Sequence, residues 1–213
     1  MHKQQAFLAR LLTRYGLRQS GPRQMPRKGM ANLPWGCDWV WQPDPWCVPM
    51  VPQVIAAGVG RAEIAPGVAL LHDGAMSDIT LTQEHHNAGS GGMALAVGNF
   101  DGSFLSLVID LSGAGLAGLR RNHLLRLATQ IRSERPARIY IRLNLTYGGH
   151  TEYLVRQHDV LDGDYLVDFD LAVTGMAEQR LEKAWVDVIF AEPQHNRVLL
   201  RDLVLLRHPR ANI

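Results

Sequence analysis

The chain has 213 residues, 46% of them hydrophobic and 20% charged, with a formal net charge of +2. That excludes a disordered or collagen-like polymer, and no apolar run approaches the roughly 20 residues of a membrane-spanning helix. The charge is uneven: residues 1–28 hold 7 of the 22 basic residues and no acidic one, so the other 15 meet 20 carboxylates and the remainder of the chain carries −5.

In chain order, residues 2–19 place Phe7, Leu8, Leu11, Leu12 and Tyr15 at helical spacing, with Lys3, Arg10, Arg14 and Arg18 on the other side. The spacing predicts a basic amphipathic helix that ends near Gly16 and Ser20-Gly21-Pro22. Such an arm suits an anionic surface, whether a membrane, nucleic acid or an acidic protein partner. Residues 29–61 concentrate Trp35, Trp39, Trp41 and Trp46 among Pro34, Pro43, Pro45, Pro49 and Pro52. Proline at that density rules out a regular helix or a central strand, so an irregular strap that lays its indoles on an apolar surface is expected. Cys37 and Cys47 read as free thiols, too few for a disulfide scaffold or a cysteine-rich zinc site.

Residues 62–213 form the expected domain proper. Val68–His72, residues 79–83, 93–97 and 103–111 read as strands, and 84–92 as a glycine-rich loop. From His123 to Tyr147 alternation is cleanest. Leu125, Leu127, Thr129 and Ile131 share one side, as do Ile139, Ile141, Leu143, Leu145 and Tyr147, with Ser133-Glu134-Arg135-Pro136-Ala137 between them. This reads as a β-hairpin turning at Pro136. After Gly148-Gly149, residues 151–156, 165–171, 185–190 and 198–206 continue the strands, interrupted by a helix at 174–183. The fold expected is mainly β: an antiparallel, jelly-roll-like β-sandwich behind a basic helix and a Trp/Pro-rich segment.

The stretches FDGSFLSLVIDL at 100–111, ARIYIRLNLTYGGHTEYLVR at 137–156, EKAWVDVIFAEP at 182–193 and LLRDLVLLRHPRA at 199–211 resemble an uncharacterised bacterial family of unknown function. Their style is also similar to that of jelly-roll carbohydrate-binding modules. The resemblance implies a fold and brings no activity with it.

Motifs for chemistry are sparse. G-x-S-x-G, H-E-x-x-H and the P-loop are missing from the sequence. Asp168 and Asp170 share the wet side of one strand, the ordinary place for solvated carboxylates. A metal-dependent enzyme would draw on His72, Asp73, His85 and His86 as imidazole and carboxylate ligands. The residue mixture best suited to binding is Tyr140, Arg142 and Asn144 on the polar side of the second arm, continued by His150 and Glu152. An aromatic plane beside a guanidinium, an amide and a carboxylate is what sugar hydroxyls or a polar peptide require.

The function expected is therefore a non-catalytic module that binds carbohydrate or another polar polymer, with no cofactor. The alternatives are a scaffold docked on a membrane or protein partner through residues 1–28, and the metal-dependent enzyme. Nucleic acid is disfavoured by the −5 of the body. With no secretory signal in the sequence, the cytoplasm is the expected compartment, peripheral to a membrane if the basic arm engages one.

Overall fold

A computed structural model describes residues 33–51, 54–56, 58–86, 90–111 and 113–210; at 54–56, 85, 86 and 90 it describes the backbone alone. The expected basic helix and tail at 1–28 lie outside the described residues.

The elements are β1 (Trp39–Trp41), β2 (Val54–Ala56), β3 (Gly60–Ala65), β4 (Val68–His72), β5 (Ile79–His86), β6 (Ser90–Val97), β7 (Leu105–Asp110), β8 (His123–Tyr147), β9 (His150–Asp170), β10 (Leu181–Ala191) and β11 (Asn196–Pro209). All pairings are antiparallel, in the order β2-β5-β6-β11-β8-β10-β7-β4-β3, with β1 on β11 and β9 on β8. The mainly β, antiparallel architecture is as expected.

Three local expectations need correction. The hairpin at Pro136 does not form: residues 123–147 are one 25-residue strand. Its arms never pair with each other, because residues 133–136 together oppose the single residue Leu161 of β9. On the other edge the ladder is interrupted between Ser133↔Val198 and Arg138↔Ala191. Pro136, which has no N–H to donate, therefore sits where neither edge makes a ladder pair. The stretch is an irregular corner at which β8 changes its partner on that edge from β11 to β10.

The glycine-rich stretch at 84–92 is not simply a loop, since 84–86 and 90–92 pair as strand. The helix expected at 174–183 is replaced by two single 3-10 turns, Leu171–Val173 and Glu178–Arg180, before β10 begins. The Thr174 hydroxyl donates back to Leu171 O at 2.7 Å, so it closes the first turn and starts no helix.

The true hairpin is β8–β9. Tyr147 pairs with His150 across Gly148-Gly149, whose φ values of 57° and 83° are those of a two-residue type I′ turn. β10 and β11 then run one after the other along the opposite edge of β8, and they diverge at residues 192–195, where Glu192 and His195 have φ of 48° and 54°. One wing continues through β10 to β7, β4 and β3; the other continues through β11 to β6, β5 and β2. In place of two separate layers there is one curled sheet, hinged along the β8–β9 ribbon.

The inner sides of both wings meet in one core that contains Leu70, Leu107 and Val186 from the first wing, Leu81, Leu95 and Leu205 from the second, and Leu127, Ile141 and Phe169 from the ribbon. Each of these contributes about 1.5–3 kcal/mol by leaving water. Trp46, fully buried, joins this core and donates its indole N–H to Leu200 O at 2.9 Å. The turn that carries it, Asp44–Trp46, touches β6, β11 and β3, so the Trp/Pro-rich segment bridges the two wings. Trp39 is buried and Trp41 half-buried, while Trp35 is 71% exposed.

Candidate functional site

Strand alternation places Leu143 and Leu145 of β8 in the core and turns Tyr140, Arg142, Asn144 and Thr146 outward. Residues directly opposite on neighbouring strands share that face. Asn144 faces Tyr153 on β9 and Trp185 on β10; Arg142 faces Val155 and Asp187; Tyr140 faces Gln157 and Ile189. One strand further, Trp185 faces Asp110, Asp187 faces Val108 and Ile189 faces Ser106. Three of the residues expected to bind are thus brought together.

His150 and Glu152 are not with them. The two-residue turn makes β8 residues of even number face β9 residues of odd number, so both go to the other side of the sheet. There the Tyr147 hydroxyl donates to Glu152 Oε2 at 2.6 Å and the Gly175 N–H donates to the same oxygen at 2.9 Å. The His150 ring packs edge-on against Tyr147 with centroids 4.2 Å apart. Glu152 pushes the Tyr147 phenol above its ordinary value, because the carboxylate accepts its proton in a hydrogen bond that ionisation would destroy.

At the centre of the outward face is a carboxylate that sequence reasoning passed over. Asp187 is 3% exposed, and its Oδ2 accepts from Arg142 Nη2 at 2.7 Å, Arg142 Nε at 2.9 Å and Asn144 Nδ2 at 2.9 Å. Asn144 is itself 3% exposed. The Arg142 guanidinium also lies 6.0 Å from the ring centre of Tyr153, within cation–π range. Tyr153 is 62% exposed and Trp185 half-buried, so two aromatic side chains flank a polar centre whose geometry is locked by charge-assisted bonds. Two signals in the sequence pointed here: Asp187 is a lone charge in an otherwise apolar run, and Trp185 shares its parity.

The remaining candidates are placed elsewhere. His72 lies on the core side of β4, 2% exposed, 6.4 Å from the Phe100 ring and with neither ring nitrogen hydrogen-bonded. Asp73 accepts from Ser103 N, Ser103 Oγ and Phe104 N at 2.8, 2.6 and 3.1 Å, and these bonds hold its carboxyl below the ordinary range, the Ser103 hydroxyl foremost. Its work is to staple two loops. His85 and His86 end β5, and their side chains lie outside the described atoms. Among the described residues no three His, Cys, Asp or Glu side chains are grouped to hold a metal. Asp168 is engaged by Arg126 Nε and Nη2 at 2.5 and 2.6 Å, and Asp170 caps Ala172 N at 3.0 Å and meets Arg210 at 3.1 Å; both carboxylates are structural. Cys37 and Cys47 are not joined in a disulfide, and burial pushes the Cys37 thiol up to about 11.

Residues 4–213 match the model of a family of unknown function, DUF6478, and the chain belongs to that family. No curated protein matches it. Among solved structures, it is similar to the family 11 carbohydrate-binding module of Clostridium thermocellum in complex with a β-1,3-1,4-mixed-linked tetrasaccharide, with a TM-score of 0.48, 13% identity, and 73% of this chain and 100% of that one covered. It is also similar to the CBM22-1 xylan-binding domain of Xyn10C from Paenibacillus barcinonensis, with a TM-score of 0.44, 13% identity and coverage of 74% and 100%. A third likeness is to the enzymatically active domain of tailspike protein 4 of bacteriophage CBA120, with a TM-score of 0.48, 9% identity and coverage of 71% and 21%.

Proposed function

We propose that this member of DUF6478 is a non-catalytic binding module for carbohydrate or a related polar polymer, and that it binds on the outward face of β8, β9 and β10. The observation that supports the reading is the row Tyr153, Asn144, Trp185, with Arg142 and Asp187 one step along the strands. Aromatic side chains supply flat apolar area for a sugar ring, while an amide and a guanidinium–carboxylate pair supply donors and acceptors for hydroxyls. Because the polar groups already bond one another, they are held in place before a ligand arrives and little ordering is left to be done on binding.

Affinity electrophoresis and calorimetric titration of the purified full chain against a panel of soluble polysaccharides test this. Binding of at least one polysaccharide is expected, weakened about tenfold by Trp185→Ala or Tyr153→Ala, which corresponds to about 1.4 kcal/mol for each aromatic contact. Glu152→Ala, on the opposite side of the sheet, should leave the affinity unchanged. Failure to bind any member of the panel overturns the reading.

A further inference from the structure

Resting on that reading, we infer that the face takes an uncharged, extended glycan laid across the strands, and that it excludes acidic polysaccharides.

The charge pattern carries the first half of the inference. Among the described residues the outward face of this wing holds four cations, Arg61, Arg138, Arg142 and Lys183, and four anions, Glu63, Asp110, Asp159 and Asp187. Three of the cations are matched within the face: Arg142 with Asp187 at 2.7 Å, Arg138 with Asp159 at 3.0 Å, and Arg61 with Glu63 at 3.2 Å and Asp110 at 3.9 Å. Lys183 is exposed at the rim, opposite Thr146. A polymer with a carboxylate or sulfate on its repeating unit needs a row of cations free to meet it. Here it would instead compete with carboxylates already seated on those cations and approach Asp110 and Glu63 as like charges. A neutral chain meets no such opposition.

The register carries the second half. Tyr153, Asn144 and Trp185 stand opposite one another on three adjacent strands. With neighbouring strands about 4.8 Å apart, the two aromatic positions are separated by about 10 Å at right angles to the strand direction. A ligand that stacks on both must span that distance with the Asn144 amide beneath it. A single sugar ring reaches only one of them.

The test is to titrate the full chain with a neutral glucan, a neutral mannan, polygalacturonate and heparin at low and high salt, then with oligosaccharides of increasing length from the best neutral polymer. Binding confined to neutral polymers, indifferent to salt, and rising about tenfold as the oligosaccharide becomes long enough to span both aromatic residues is expected. Trp185→Ala and Tyr153→Ala should each abolish the dependence on length, with circular dichroism confirming that they fold; the salt and polymer comparisons on the unaltered chain hold regardless of the variants. Salt-sensitive binding of polygalacturonate or heparin overturns the inference and leaves the binding-module reading standing. A monosaccharide that binds as tightly as the polymer overturns the cross-strand arrangement. Binding of none of the four overturns the inference along with the reading beneath it.

Discussion

Arg142 and Asp187 face each other across the β8–β10 ladder, and two guanidinium nitrogens of Arg142 converge on the same carboxylate oxygen of Asp187 at 2.7 and 2.9 Å. The Asp187 side chain is 4% exposed and the Arg142 side chain 39%. Removing the cation leaves a buried anion with one remaining side-chain donor, Asn144. Arg142→Met should therefore cost about 1–3 kcal/mol, below the cost for a fully buried pair because water reaches the guanidinium. The double variant Arg142→Met, Asp187→Asn should lose less than the sum of its two parts, since it no longer strands a charge. Urea denaturation of the four proteins measures the coupling, and strictly additive losses would refute it.

Gln83 on β5 fastens the proline-rich segment. Its amide nitrogen Nε2 donates to Pro45 O at 2.9 Å and Val48 O at 2.7 Å, while Oε1 accepts from Met50 N at 2.7 Å. Because one 4%-exposed side chain satisfies three backbone groups of a segment with little regular structure, Gln83→Leu should cost about 2–4 kcal/mol. Protease cleavage within residues 42–51 should accelerate in that variant, and an unchanged cleavage rate would show that the indole of Trp46 anchors the segment alone.

Gly149 has φ of 83°, and a Cβ built there meets nothing within 4 Å. Gly149→Ala should therefore reveal the conformational cost alone, about 1–2 kcal/mol, whereas Gly149→Asn should cost less because Asn tolerates the left-handed region. Thermal unfolding of the two variants compares them directly. Equal losses would mean that the turn relaxes to another type.

Acidification should weaken the fold before the carboxylates titrate. Burial lowers the proton affinity of His123, His158 and His208 below the ordinary histidine value of 6.5. In the pH range between the lowered folded values and 6.5, the unfolded chain binds more protons than the folded one. The stability due to these neutral imidazoles is therefore complete above about pH 6.5 and is lost as pH falls through the folded values. The urea midpoint should drop between pH 7.5 and pH 5.5, and His208→Gln should flatten the decline; a midpoint constant over that range would contradict it.

How far the sequence could be read depends on the range of the interaction concerned. The dry and wet sides of residues 123–147 were visible in the alternation, because neighbouring side chains must point to opposite faces whatever the strand pairs with. Odd-numbered residues stay inward from Leu125 through Tyr147, apart from the corner, and that unbroken parity is what a single long strand produces. Pro136 obscured it, since a residue that cannot donate is equally at home in a turn and in a gap between ladders. The separation of Glu152 from Asn144 was readable once Gly148-Gly149 is taken as a two-residue turn, because its length sets the register of β9 against β8.

Taken alone, the amino-acid order determined the class of the fold, the inward faces of its strands and the outward placing of Tyr140, Arg142 and Asn144, all consequences of a two-residue period carried by neighbouring side chains. Only the tertiary structure decided which edges meet, because backbone N–H and C=O groups are the same in every residue and many pairings satisfy them. The packing of both wings into one core selected among those pairings. That choice turned an expected hairpin into a corner, set Asp187, Trp185 and Tyr153 beside Arg142, and sent His150 and Glu152 to the other side of the sheet.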